Sequence, residues 1–157
     1  MRSNDGFTLV ELIIVLLLVG VLSGYAVVRT SDANSLRVQA YADRFKQHIK
    51  QTQMLAMSWG QSLTMTISSN GYQVSCSNGI GNAPCDSSPV INPATGQTFS
   101  VGLADNVSIQ SSGSLSFDAL GRPLQSSTIA SSSSQWVIGD ADFQITLNVN
   151  PISGSVN

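Results

Sequence analysis

The sequence has few charged residues and a single histidine, His48. Charged side chains make up 10% of the 157 residues, against roughly 25% in ordinary soluble domains. A metal site or a His-based nucleophile needs further ligands or partners, and the sequence shows no Gly-rich phosphate loop and no convincing pair of carboxylates. We therefore expect neither an enzyme nor a bound cofactor, and we expect His48 to pack or to lie at the surface.

Positive charge is nearly absent from the last two thirds of the chain. Beyond Lys50 the sequence contains five aspartates and one cation, Arg122. Nucleic-acid binding depends on Lys and Arg, which release counterions from the phosphate backbone. This distribution argues against nucleic acid as a partner. We expect Arg122 to pair with Asp118, four residues earlier, in preference to binding a ligand.

Cysteine is also scarce, because Cys76 and Cys85 are the only two. No histidine lies near them in the sequence, so a metal held by this pair would lack its remaining ligands. In an exported domain the two are expected to form a disulfide. Asp140 and Asp142 supply too few oxygens for Ca²⁺, which takes roughly six to eight, and a solvated turn is expected there.

What the sequence does contain is one long apolar run near its N-terminus. Residues 7–28 read FTLVELIIVLLLVGVLSGYAVV and carry one charge, Glu11. Because roughly 20 apolar residues cross a bilayer as a helix, residues 7–28 are expected to form a transmembrane helix. An acidic residue at the centre of such a helix costs about 2.5–3.5 kcal/mol on insertion scales. Glu11 is therefore a candidate functional residue that needs a partner.

Two alternatives stay open for this segment. The carboxylate of Glu11 could reach the headgroups, or Arg2, the apolar run and Gly24-Tyr25-Ala26 could form a secretory signal that is cut before Val27. Against the signal, the run is long, and a removable segment has no need of a carboxylate. If the chain were instead cut before Phe7, the new amine of a neighbouring subunit could neutralise Glu11 inside a helix bundle, where a buried charge must be paired.

The run Gly6-Phe7-Thr8-Leu9-Val10-Glu11 resembles the processing site of type IV pilins and of the pseudopilins of type II secretion. The resemblance implies that residues 1–6 are a leader, that a prepilin peptidase cuts after Gly6 and methylates Phe7, and that Glu11 guides subunit docking. It also implies a single-pass protein of a Gram-negative inner membrane, with its head in the periplasm, that later enters a pilus or pseudopilus. The implied partners are the prepilin peptidase, other pilin or pseudopilin subunits and, indirectly, an assembly platform protein and an ATPase.

Helical periodicity continues through residues 29–59 as an amphipathic segment. Apolar positions recur three and four residues apart, at Val38, Tyr41, Ala42, Phe45, Ile49, Thr52, Leu55, Ala56 and Trp59. Gly60 is expected to end the helix, since glycine commonly takes the left-handed position after the last turn. Residues 60–157 are then expected to form a β-rich globular head.

In the head, the sequence period changes from about 3.6 to two. Alternation from Leu63 to Ile67, followed by Asn70-Gly71, predicts a hairpin with Tyr72 to Cys76 as the returning strand. Further short strands are predicted at 98–101, 107–110, 115–117, 136–138 and 143–149, and the Ser-rich residues 126–134 are expected to form a mobile loop. The predicted fold is α+β, with a long N-terminal helix packed on an antiparallel sheet.

Short motifs in the head resemble the H-type minor pseudopilin and FimT group. They are the run from Gln53 to Gly60 with the strand after it, the turn from Ser116 to Pro123, and the C-terminal segment from Ile145 to Val156. The pattern Tyr72…Cys76, Cys85 and Pro93-x-x-Gly96 is similar to minor pilins of the mannose-sensitive haemagglutinin (MSHA) pilus.

These resemblances imply a minor pilin or pseudopilin subunit. The alternative is a binding module at a filament tip, either an adhesin or a DNA-uptake subunit. FimT members that bind DNA use a cationic C-terminal region, whereas residues 143–157 contain no Lys or Arg. DNA uptake is therefore the weaker alternative.

Overall fold

The computed structural model describes residues 8–104 and 106–157, and for residues 25–33 it describes the backbone alone. Within this range one helix is followed by nine short strands. The chain divides into two compact units, one up to Arg37 and one from Val38 onward. The α+β class predicted from the sequence is confirmed, whereas the leader and membrane boundaries remain predictions.

Helix α1 runs over Leu9–Trp59 and ends where the sequence predicts. Gly60 follows it with a φ of 63°, a backbone conformation that glycine adopts without steric cost. The N–H of Gln61 then donates to the carbonyl of Ala56 at 3.2 Å. This is the hydrogen bond of a Schellman cap, which satisfies a carbonyl left unpaired by the end of the helix.

In the second unit, one face of α1 enters the hydrophobic core. The side chains of this face alternate in steps of three and four residues, and all are buried: Val38, Ala42, Phe45, Ile49, Thr52 and Ala56. Tyr41, Leu55 and Trp59 lie beside them, partly buried against the same core. The predicted apolar stripe is therefore confirmed at all of its positions.

The strands are short and pair in antiparallel fashion. In chain order they are β1 (Leu63–Ser68), β2 (Gly71–Cys76), β3 (Ser100–Gly102), β4 (Ser108–Ile109), β5 (Gly113–Phe117), β6 (Pro123–Gln125), β7 (Thr128–Ile129), β8 (Ser134–Gly139) and β9 (Gln144–Val149). Six of them form a sheet in the order β3-β2-β1-β5-β6-β7, and β4-β8-β9 form a second sheet. Every strand predicted from the sequence overlaps an observed strand or, at residue 98, an isolated bridge.

The β1–β2 hairpin differs from the prediction by one position. Ser69 and Asn70 form the turn, and Gly71 is already the first residue of β2, paired with Ser68. A Cβ at residue 71 would collide with the backbone carbonyl of Val101 in β3. Glycine is therefore required at this position by the close approach of a neighbouring strand and not by the turn itself.

The prediction of a loop over residues 126–134 is wrong at residues 128–129 and at residue 134. Thr128 and Ile129 form β7, which pairs with β6, and Ser134 already belongs to β8. Ser126 and Ser127 make the intervening two-residue turn with φ values of 50° and 69°. Two positive φ values suit a tight hairpin, but the usual sequence signal for that turn is Asn-Gly or Asp-Gly. Because serines occupy both positions, the sequence did not indicate a hairpin here.

Gln53 ties the end of α1 to two distant turns. Its Nε2 donates to the carbonyl of Gly121 at 2.7 Å and to that of Ser153 at 2.8 Å. Gly121 lies in the turn between β5 and β6, and Ser153 lies in the C-terminal turn. Beyond this turn the chain returns along β9, where Val156 bridges to Val149.

Candidate functional site

The predicted processing positions Gly6 and Phe7 lie outside the described residues, and the structure of this segment begins at Thr8. The hydroxyl of Thr8 accepts a hydrogen bond from the backbone N–H of Glu11 at 3.3 Å. The carbonyl of Thr8 accepts from the N–H of Leu12 at 3.2 Å. Thr8 is therefore the N-cap of α1, and it satisfies a donor that the first helical turn leaves unpaired.

Glu11 occupies the third position of the helix that Thr8 caps. The spacing Thr8-x-x-Glu11 is that of a capping box, a sequence signal for the start of a helix. The positive end of the helix dipole also favours a carboxylate in the first turn. The role of Thr8, unlike that of Glu11, was not predicted from the sequence, although the Thr-x-x-Glu spacing before an apolar run is a signal for it.

The first turns of α1 present apolar side chains on all sides. The large apolar residues between Leu9 and Leu22 are exposed by 47% at Val15 to 75% at Leu9. A helix that is apolar all round is stable only where something covers it, either lipid or neighbouring helices. Glu11 is the one acidic residue of this surface.

Among the described residues, no helical segment is long and apolar enough to cross a membrane. The predicted span of residues 7–28 includes Phe7, which lies outside the described residues, and side chains from Tyr25 to Val28 that are likewise outside them. The transmembrane span therefore stays a prediction.

In the head, Arg122 is paired as the sequence predicts. Its Nη2 lies 2.7 Å from Oδ2 of Asp118. The other oxygen of Asp118 accepts from the backbone N–H of Leu120 at 3.0 Å and from that of Arg122 at 2.8 Å. Partial burial raises the pKa of Asp118, but these donors and the guanidinium outweigh it and hold the pKa below its ordinary value. The pair fixes the turn between β5 and β6.

Asp140 stabilises the turn between β8 and β9. Its Oδ1 accepts from the N–H of Asp142 at 2.9 Å and from that of Phe143 at 2.7 Å. No cluster of three or more His, Cys, Asp or Glu side chains suited to a metal occurs in the described part of the chain. The expected turn at Asp140 and Asp142 is confirmed.

His48 lies between two aromatic rings at the edge of the core. Its Nδ1 is 2.8 Å from the hydroxyl of Tyr72, and its ring meets that of Phe99 edge-on with centroids 5.1 Å apart. Burial and the nearby charge of Arg44 lower the pKa of His48. A neutral, hydrogen-bonded histidine packed in this way fits the predicted packing role.

Cys76 and Cys85 form the predicted disulfide, with their Cα atoms 5.8 Å apart. Both are buried. Cys76 is the last residue of β2, so the bond ties the loop after this strand back to the sheet.

A family model described as the prokaryotic N-terminal methylation motif matches residues 1–27. The match covers 27 of the 157 residues. It supports the kinship of the N-terminal segment to type IV pilins and pseudopilins that prepilin peptidase processes, and it does not reach the head. No curated protein and no solved structure gives a significant match to the chain.

Proposed function

We propose that this chain is a minor pilin or pseudopilin subunit. Prepilin peptidase cuts it after Gly6 and methylates Phe7, residues 7–28 hold it in the inner membrane, and it then enters a type IV pilus or a type II secretion pseudopilus. The observation that carries the proposal is the family-model match over residues 1–27, which contains Gly6, Phe7 and Glu11. The start of α1 capped by Thr8, directly after Phe7 and with Glu11 in its first turn, supports it.

The apolar surface of α1 explains why such a subunit needs two environments. Before assembly, lipid covers the side chains from Leu9 to Leu22. During assembly, helices of neighbouring subunits replace the lipid. Because one apolar environment replaces another, the exchange supplies little hydrophobic driving force, and association depends on packing and polar contacts.

Glu11 supplies the polar contact in this mechanism. An unpaired carboxylate in an apolar environment is costly, by about 2.5–3.5 kcal/mol at a helix centre. The amine of Phe7 on a neighbouring processed subunit removes this cost by pairing with Glu11. Breaking such a buried pair from one side costs about 3–5 kcal/mol, which is enough to select the correctly docked subunit. Since the sequence contains no nucleotide site, a partner ATPase and platform protein drive polymerisation.

The head fits a role outside the cytoplasm. Its disulfide ties the loop after β2, and disulfides persist in oxidising compartments. Its one cation, Arg122, is held by Asp118, which weakens the case for DNA uptake. The resemblance of the head to the H-type pseudopilin, FimT and MSHA groups supports a minor subunit over a major one, and an adhesin at a filament tip is the alternative.

The proposal is tested by substituting Glu11 and following three steps separately. Glu11→Leu is expected to insert in the membrane and to be cleaved normally, but to be lost from sheared filaments. Glu11→Asp, which keeps the charge, is the matched control and is expected to retain part of the incorporation. Normal incorporation of Glu11→Leu would contradict the pairing mechanism.

A gene deletion with complementation separates the two machines. Loss of surface pili, counted by electron microscopy, identifies a structural or priming pilus subunit. Intact pili together with exported enzymes that accumulate in the periplasm identify a secretion pseudopilin. Intact pili with normal secretion would leave only the tip-module alternative.

A further inference from the structure

A hydroxyl-lined groove crosses the outer face of the six-stranded sheet. Its volume is about 430 Å³, within the range of roughly 300–1,000 Å³ that small-molecule sites occupy. The lining residues share short polar side chains, with one exception, Leu124: they are Ser62, Thr64, Ser77, Asn78, Ser114, Ser116, Ser126 and Ser127. None of these side chains is charged.

Three of the hydroxyls are fixed to one another across the sheet. Oγ1 of Thr64 in β1 lies 2.8 Å from Oγ of Ser77, just beyond β2, and 2.8 Å from Oγ of Ser116 in β5. Each hydroxyl has one proton and two lone pairs. The two hydrogen bonds use two of the three protons, so one proton and most of the lone pairs remain to bind a ligand. The row is thus a preorganised set of neutral donors and acceptors.

The rim of the groove carries the unusual backbone of the β6–β7 turn. Ser126 and Ser127 both hold positive φ, at 50° and 69°, where a residue with a Cβ is sterically disfavoured. Glycine or asparagine would make this turn at lower cost. Both serines line the groove, so the strained turn places two further hydroxyls at its edge. Strain retained beside a cavity is a mark of functional sites.

We propose that this groove binds a neutral carbohydrate. Sugar hydroxyls are donors and acceptors that match the row of Thr64, Ser77 and Ser116, and Leu124 offers an apolar contact for the C–H face of a pyranose ring. An anionic or cationic ligand would find no opposite charge among the lining side chains. Binding at one groove is weak, and display of several copies would strengthen it through effective concentration.

The experiment uses the full chain in a nonionic detergent that contains no sugar headgroup. Saturation-transfer NMR is recorded with a panel of neutral hexose and N-acetylhexosamine oligosaccharides, and with sialylated and sulfated counterparts as the charged set. Neutral members are expected to bind in the millimolar range. Thr64→Val, which keeps the shape of a β-branched strand residue but removes the central hydroxyl, is expected to weaken binding at least ten-fold, and Ser116→Ala is expected to weaken it as well.

The matched control is Thr66→Val. Thr66 lies two residues away on the same strand and the same face, but it lines a separate groove with Gly71 and Val101. Its substitution is expected to leave carbohydrate binding unchanged. The proposal is overturned if no neutral oligosaccharide binds at millimolar concentration, if only the charged members bind, or if Thr64→Val binds as well as the unsubstituted chain.

The outcome is independent of filament assembly. The site lies in the head, so Thr64→Val is expected to be cleaved and incorporated normally, whereas Glu11→Leu in detergent is expected to bind carbohydrate normally. Failure of one proposal therefore leaves the other standing.

Discussion

The hydroxyl of Tyr72 lies 2.8 Å from Nδ1 of His48, and this hydrogen bond ties the chain's one histidine to strand β2. Burial raises the pKa of Tyr72, so the phenol keeps its proton. Burial and the nearby charge of Arg44 lower the pKa of His48, which favours the neutral ring. A neutral imidazole and a protonated phenol share one hydrogen bond in this pair, and its direction follows the tautomer of the ring.

This arrangement predicts that the head loses stability as the pH falls. The ordinary pKa of histidine is 6.5, so the unfolded chain binds a proton near that pH, whereas folded His48 resists protonation to a lower pH. The stabilisation is therefore complete above about pH 6.5 and declines as the pH drops below it. Thermal unfolding of the full chain in detergent between pH 7.5 and about 5.5 measures this slope. His48→Gln is expected to flatten the slope, and an unchanged slope in that variant would show that other groups cause it.

The turn between β5 and β6 is predicted to depend on Asp118 far more than on Arg122. Asp118→Ala removes the acceptor of the exposed N–H groups of Leu120 and Arg122, and each of these two hydrogen bonds contributes about 0.5–1.5 kcal/mol. Arg122→Ala removes only a half-exposed ion pair, worth about 0–1 kcal/mol. Because the pKa of Asp118 lies below 3.8, the difference between Asp118→Ala and the unsubstituted chain is expected to shrink as the pH falls through and below this value. Chemical denaturation of both variants measures the difference, and equal losses would refute this ranking.

The Cys76–Cys85 disulfide is predicted to stabilise the folded head. The closed loop is short, with a sequence separation of 9, for which the chain-entropy model gives about 2–3 kcal/mol. The double variant Cys76→Ser/Cys85→Ser is expected to unfold at a correspondingly lower denaturant concentration. The unsubstituted chain treated with reductant is the control and is expected to behave like the double variant. An unchanged unfolding midpoint in both samples would show that the disulfide does not stabilise the folded head.

Thr8 is predicted to hold the first turn of α1 in place for Glu11. Thr8→Ala removes the cap and is expected to destabilise the helix start by about 1 kcal/mol, whereas Thr8→Ser retains the hydroxyl. Hydrogen exchange of the Glu11 amide in detergent is expected to speed up in Thr8→Ala and to stay slow in Thr8→Ser. Incorporation into filaments is expected to follow the same order. Equal exchange in the two variants would show that the hydroxyl does not act as the cap.

The helix and the helix-facing core were predictable because their signals are local. The stripe from Val38 to Trp59 follows the helical period, and Gly60 marks the end by a conformation that other residues rarely adopt. The β1–β2 hairpin was also predictable, although Gly71 was assigned to the turn. Its true constraint is the carbonyl of Val101, a contact with a strand 30 residues away that no local pattern contains.

The features that the sequence did not predict depend on tertiary contacts or on unusual turn residues. Ser126 and Ser127 adopt positive φ without the glycine or asparagine that signals such a turn. Gln53 reaches carbonyls 68 and 100 residues away, and the hydroxyl row at Thr64 exists only because β2 and β5 flank β1. At the N-terminus, by contrast, the prediction of the processing site comes from the sequence motif alone, because Gly6 and Phe7 lie outside the described residues.

The intact mass of the mature chain, isolated from membranes of cells that contain a prepilin peptidase, tests the proposed processing most directly. We expect a chain that begins at Phe7, shorter by residues 1–6 and heavier by one methyl group on its amine. Gly6→Val is expected to leave the full-length, unmethylated chain. A mature chain that begins at Val27 would identify a removable signal, and it would contradict both the retained helix and the role of Glu11 in assembly.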